Sequence, residues 1–144
     1  MISGASAGFG RRLAALIYDG VLLAGLLTVY TAALVFAHGG ALTGEAAGGW
    51  WYAYRTGEVI LMAGYYVLNW MRSGQTLGMR AWRLHAVSAS GGRLEFAPAV
   101  LRVVCAVAAW SPAALGVLWL YFDPDHLALH DRLSNTRMLY LAGS

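Results

Sequence analysis

The sequence predicts an all-α membrane protein of three apolar segments, the third kinked or re-entrant at Pro112, with a small cytoplasmic cap built from a β-hairpin and one further strand. Three observations predict it. The 144 residues are 59% hydrophobic and 12% charged, with mean hydropathy +0.56, whereas a soluble domain averages about 25% charged. The apolar residues fall in long runs, at 13–37, 50–71 and 97–122. Between the second and third runs lies a polar stretch, 72–96, that carries four arginines. The length suits one domain over 1–144.

The first segment is expected to be a helix over 10–37, ended by His38-Gly39-Gly40, since Gly is the usual residue just past a helix end. Its apolar run, Leu13 to Ala37, has 25 residues. A signal-peptide core has about 7 to 15 residues and a spanning helix about 20. The segment therefore reads as a retained transmembrane helix. The second helix is expected over 50–71. It opens with Trp50-Trp51-Tyr52-Ala53-Tyr54, an aromatic cluster of the kind that anchors at headgroup level, and carries Glu58 and Asn69 near its ends, where polar groups are solvated or snorkel.

In the polar stretch, Gln75 to Trp82 reads as a short interfacial helix with Leu77, Ala81 and Trp82 toward lipid. "RLHAV" and "RLEF" flank "SASGG" and read as a β-hairpin. The third apolar segment, 97–122, has Pro98 in its first turn and Ser111-Pro112 at its middle, where proline kinks or breaks a helix. Asp123-Pro124-Asp125 ends it. "RMLYL", 137–141, reads as a strand.

The net charge of +3 comes from ten arginines and no lysine. They are scattered around apolar runs, not gathered on one face, so nucleic-acid binding is not expected. Cys105 is the only cysteine, so no intramolecular disulfide is possible, and it reads as a small apolar filler. Cytoplasmic flanks carry excess arginine. Arg11 and Arg12 precede the first helix, the first loop has only Arg55, and the second loop and its borders have five arginines. This orientation puts residues before the first helix, and the second loop, in the cytoplasm of an inner-membrane, multi-pass protein. Arg132 and Arg137 would place the tail there too. Three simple spans would place it outside. A third segment that turns back at Ser111-Pro112 reconciles the two, although each half would be only about 18 Å long at 1.5 Å per residue, short of a core of about 30 Å. A single kinked span is the alternative.

A charge within the hydrocarbon costs about 2.5–3.5 kcal/mol on insertion scales. Asp19 lies roughly 12 Å along the helix from Arg11, so it is expected to face protein or a water-filled cavity. Arg12 shares its face but lies two turns away. Arg102, early in the third segment, is the expected partner.

The residues "GFGRRLAALIYDG", "GQTLGMRAWRLHAV…GGRLEF", the arginine of "VLRVV" and "ALHDRLSNT" together resemble the RDD family of small prokaryotic integral membrane proteins, in order and over almost the whole chain. The resemblance implies Arg12 as the family arginine, with Arg11 an adjacent competitor, Asp19 as the first aspartate and Asp131 as the second. Gln75, Thr76, Leu77 and Gly78 match a family loop, with Met79 where a lysine is common. Ser134-Asn135-Thr136 departs from a small-Gly-Thr ending, and Asn still tolerates a left-handed turn. The family supplies no settled activity, and transport has been suggested for some members.

Two readings of Asp19 follow. One is a structural pairing that holds the first helix against the third segment. The other is an ion- or proton-binding carboxylate, set between burial and a nearby arginine. His130-Asp131 reads either as a proton relay or, preferably, with Asp131 as the N-terminal cap of a short helix "DRLSN". His85, His126 and His130 have no metal-binding spacing, and no metal or cofactor is expected. No phosphate loop or nucleophile elbow is present, so no enzyme is expected. Gly74 to Gly78 formally reads GxxxG but lies outside any apolar 20-mer, so it says nothing of helix dimerisation. Arg12, Asp19, Arg102 and Asp131 are expected to converge near the cytoplasmic face. The expected function is a structural or accessory membrane component. The alternative is a small-ion transporter exchanging cations for protons at Asp19. Expected partners are the lipid bilayer and a second copy or another membrane protein.

Overall fold

A computed structural model describes residues 5–39, 48–110, 119–124 and 127–141. Strand β1 (Ala5–Ser6) leads into helix α1 (Phe9–Ala37), followed by α2 (Trp50–Ser73), α3 (Leu77–Ala81), β2 (Leu84–Ser88), α4 (Phe96–Trp110), a 3₁₀ turn (Trp119–Tyr121), α5 (Leu129–Leu133) and β3 (Thr136–Tyr140). The first two helices lie within a residue or two of their expected bounds. The expected turn at Ser111-Pro112 lies outside the described residues, as do Glu45, Asp125 and His126.

Helix α1 has 29 residues and a best 18-residue window of mean hydropathy 2.1. Among the described helices it is the one long and apolar enough to cross a membrane. Its buried residues are Arg12, Ala15, Asp19 and Leu23, one stripe at helical spacing on the half nearest Phe9. Ile17, Val21, Val29 and Phe36 are exposed, as are Val104 and Val107 of α4.

The sheet is antiparallel, in the order β1-β3-β2. Ala5 stands opposite Tyr140, and Leu84 through Ser88 stand opposite Tyr140 through Thr136. The expected hairpin is corrected here. "RLHAV" is a strand, but its partner is β3, and "RLEF" is no strand. The Ser88 N–H donates to Gly92 O at 3.0 Å, which closes a turn, and the chain then enters α4. Burial of Leu94 draws that segment into the core instead of along the strand. The strand read at 137–141 is present one residue earlier. Strand β1 was not expected, since two residues carry no alternation to read.

The core forms where the sheet meets the helices. Ala7, Ala15, Val67, Trp70, Met79, Leu84, Ala86, Leu94 and Ala99 form one buried cluster. Helix α3 packs on α1, and α4 packs on both α2 and α5. The rings of Phe9 and Tyr121 lie 6.3 Å apart, so the chain after α4 is back beside the start of α1.

Candidate functional site

Two polar clusters sit in this core, each around one aspartate. The first is built on Asp131, the third residue of α5. The N-cap of that helix is Ala128, so the expectation that Asp131 is itself the cap is corrected. Its Oδ2 instead accepts from the Ala128 N–H at 3.4 Å, one half of a capping arrangement. The same oxygen accepts from Arg12 Nη1 at 2.5 Å, and Oδ1 lies 2.6 Å from Arg102 Nη1. All three side chains are essentially inaccessible. Burial pushes the Asp131 carboxyl up, but the Arg102 and Arg12 guanidiniums outweigh it and hold the carboxyl well below the usual carboxylate range.

Each arginine is also held by its own element. Arg12 Nε donates to Ala7 O at 2.8 Å, just after β1. Arg102 Nη1 donates to Thr136 Oγ1. Thr136 Oγ1 lies 2.8 Å from Ser134 Oγ, which donates to His130 O at 2.6 Å. Asn135 between them adopts φ 53, the left-handed turn that Asn tolerates. Arg102 also lies over the Trp70 ring at 5.2 Å. His130 Nε2 is 3.5 Å from Asp131 Oδ1. Burial pushes the His130 imidazole down to about 4, against the pull of Asp131, so it is neutral at physiological pH. Arg11, the competitor, is exposed, with its guanidinium 3.5 Å from the centre of the Tyr140 ring. The buried arginine of the pair is Arg12.

The second cluster is built on Asp19, and here the expected partner is corrected. Arg102 is bound to Asp131 and not to Asp19. The Asp19 carboxylate takes three uncharged donors instead. Tyr65 Oη donates to Oδ1 at 2.7 Å, the Gly78 N–H donates to Oδ1 at 2.8 Å, and Thr76 Oγ1 donates to Oδ2 at 2.5 Å. Hydrogen bonds to the ionised form stabilise a buried carboxylate without a counter-ion. The expected convergence of four charged residues thus divides into two sites two turns apart on α1.

The loop residues 74–78 acquire a role each. Gly74 ends α2 at φ 70, a conformation open to glycine. Gln75 Nε2 donates to Leu84 O at 2.7 Å and so ties the loop to β2. Thr76 caps α3, its hydroxyl accepting from the Met79 N–H at 3.1 Å while donating to Asp19. At Gly78 any Cβ would run into the Ala15 carbonyl oxygen and the Asp19 carboxylate. α3 can lie this close to α1 only because residue 78 has no side chain. Leu77 and Trp82 are exposed and Met79 is buried.

Tyr65 carries no signal in the sequence that marks it, while Ser134 and Thr136 read there only as part of a family-type ending and Asp123 only as the end of the third segment. Asp123 is buried, accepts from the Leu127 N–H at 3.0 Å and lies 3.2 Å from Arg132 Nη2, which orders the approach to α5. Asn69 Nδ2 turns back to Tyr65 O at 2.7 Å, and Glu58 pairs with Arg55 at 2.8 Å.

Both clusters border one cavity of about 340 Å³, lined by Arg12, Asp19, Trp70, Arg102 and His130 together with apolar side chains of α1, α2 and α4. Among the described residues no group of three His, Cys, Asp or Glu side chains could hold a metal ion. His85 lies against Gly74, and His130 lies against Asp131.

No curated protein and no solved structure matches the chain. One family does, over residues 6–135, a span that takes in both aspartate sites, the 74–78 loop and α5. The chain belongs to the RDD family.

Proposed function

We propose that this chain is an inner-membrane structural or accessory component whose aspartate clusters lock a small cytoplasmic cap onto its membrane helices. The observation that carries the reading is that both aspartates are engaged by other parts of the same chain. Asp131 joins α1, α4 and α5, and Asp19 joins α1, α2 and α3. Such pairings fix the relative positions of elements that apolar packing alone leaves free to slide.

The apolar, exposed side chains of α1 and α4 support a lipid environment. Contiguous apolar surface of this kind marks contact with a membrane or a partner. The antiparallel pairing of β1 with β3 supports a same-side topology. Hydrogen-bonded strands lie on one face of a bilayer, so an even number of crossings separates Ala5 from Tyr140. Tyr121, back beside Phe9, supports a third segment that enters and returns. The arginine excess around the cap supports a cytoplasmic position for that side.

The test is purification from native membranes in mild detergent, followed by proton-flux assays in proteoliposomes under Na⁺, K⁺ and Li⁺ gradients. The expected result is co-purification of a stoichiometric membrane partner or second copy, with no flux. Cation-driven proton flux by the purified chain, abolished in a folded Asp19→Asn variant, would replace this reading with transport.

A further inference from the structure

The two arginines of the Asp131 site have donors left over. Arg12 Nη2, Arg102 Nε and Nη2, and His130 Nδ1 are buried and have no hydrogen-bond partner among the described residues. Arg12 is 5% exposed and Arg102 1%. Leaving a buried donor unpaired is costly, and more so when it is charged, so three open guanidinium nitrogens in one place need an occupant. The charge is also incomplete. Arg12 and Arg102 bring two positive charges, Asp131 one negative, and His130 is neutral, which leaves one positive charge at this end of the cavity. Asp19 borders the same cavity. It lies seven residues along α1, about 10 Å away, and its oxygens are taken by Tyr65, Thr76 and Gly78.

The rest of the lining narrows the ligand. Leu16, one turn along α1 from Arg12, and Val103, Ala106 and Val107, within about a turn and a half of Arg102 on α4, give the cavity an apolar wall. A small hydrophilic anion would satisfy the guanidiniums and leave this wall against water. A ligand with an oxyanion head and an apolar chain satisfies both. A guanidinium is a planar fork of donors that matches carboxylate or phosphate oxygens in pairs.

We propose that the cavity is a binding site for a singly charged anionic amphiphile, its carboxylate or phosphodiester held by the free donors of Arg12 and Arg102 and its chain laid along Leu16, Val103, Ala106 and Val107. The site goes beyond the structural role of the cluster. It rests on the membrane reading only for the source of its ligand, because the bilayer supplies both head groups, and binding in detergent does not depend on insertion.

Native mass spectrometry of the purified full chain, released from a neutral detergent, tests this. Oleate, phosphatidylglycerol and zwitterionic phosphatidylcholine are titrated separately. The expected result is one retained oleate or phosphatidylglycerol per chain, with phosphatidylcholine retained at least tenfold less. Retention of oleate alone assigns a carboxylate ligand, and retention of phosphatidylglycerol alone a phosphodiester. Ala106→Phe fills the apolar end without touching Arg12, Arg102 or Asp131, and should weaken retention at least tenfold at unchanged thermal stability. Arg102→Lys, which keeps the charge and loses the fork, should weaken it as well. Equal retention of phosphatidylcholine, no retention of either anion, or full retention in a folded Ala106→Phe variant would overturn the proposal.

Discussion

Arg12 donates to Asp131 across 119 residues of chain. The bond joins the first turns of α1 to α5, and Arg102 brings α4 to the same carboxylate. Replacing Asp131 by Asn keeps the shape and removes the one counter-charge that, among the described residues, touches the two buried guanidiniums. Breaking a buried pair in this way costs about 3–5 kcal/mol. Asp131→Asn should therefore give the largest loss of thermal stability and membrane abundance among single substitutions at the two aspartate sites, read by thermal unfolding in detergent and by immunoblot. A midpoint within a degree of wild type would show that the pairing does not hold the cap.

Asp19→Asn should be milder. Asn keeps an oxygen for two of the donors but presents an N–H₂ group to the Thr76 hydroxyl, and one unmade buried hydrogen bond costs about 1–3 kcal/mol. Thr76→Val removes the same contact together with the cap of α3, which is worth about 1 kcal/mol. The double variant should be less destabilised than the sum of the two, by about 0.5–3 kcal/mol. Strict additivity in this cycle would mean that the contact contributes nothing.

Gly78→Ala should push α3 away from α1. Its new methyl would meet a backbone carbonyl oxygen, which cannot rotate aside. Overpacking of this kind costs about 1–3 kcal/mol. A cysteine pair placed at exposed positions of α1 and α3 would report the separation, and cross-linking should fall in the Gly78→Ala background. Unchanged cross-linking and stability would show that the close approach is not required.

Stability should depend on pH in two windows. Folded His130 stays neutral down to about 4, while unfolded His binds a proton near 6.5. Between these values the unfolded chain holds the extra proton, so stability falls as pH falls, by up to about 1.4 kcal/mol per unit. The Asp131 carboxyl is lowered in the fold, so its contribution is complete above the ordinary Asp value near 3.9 and is lost below it. His130→Gln should flatten the unfolding midpoint between pH 6.5 and 4. His85, also pushed down by burial, should leave a residual slope. A wild-type midpoint that does not move between pH 7 and pH 5 would contradict this assignment.

Reporter fusions at the two ends of the chain should give the same topology signal, cytoplasmic fluorescence from both and periplasmic phosphatase activity from neither. Opposite signals would break the pairing of Ala5 with Tyr140.

Much of the fold was legible, and its misreadings have physical causes. α1 and α2 could be read because apolar runs of that length have few other uses. The strand near 137–141 could be read from its residues, but its partner could not, since alternation marks a strand without naming its neighbour. The family resemblance picked out Arg12, Asp19 and Asp131, and all three are buried. Asp19 was assigned to Arg102 because a buried carboxylate calls for a cation by default. Three neutral donors do the same work, and one of them is the backbone N–H of Gly78, which no side-chain pattern reveals. Tyr65 lay hidden in a helix where aromatic residues read as packing. Asp131 was misplaced by three residues because Ala128, a poor cap by type, starts the helix that a capping aspartate was expected to start.

The sheet that closes the fold imposes an order on its making. In a chain inserted as proposed above, Arg12 reaches the membrane early, and its carboxylate is translated 119 residues later, on the order of ten seconds at ordinary elongation rates. Strand β1 waits as long for β3. Throughout that interval the nascent chain carries an uncompensated cation at the mouth of its first helix, and only the final stretch of synthesis neutralises it. A chain interrupted before α5 is thus marked as unfinished by its own charge, and membrane quality control has a reason to recognise it.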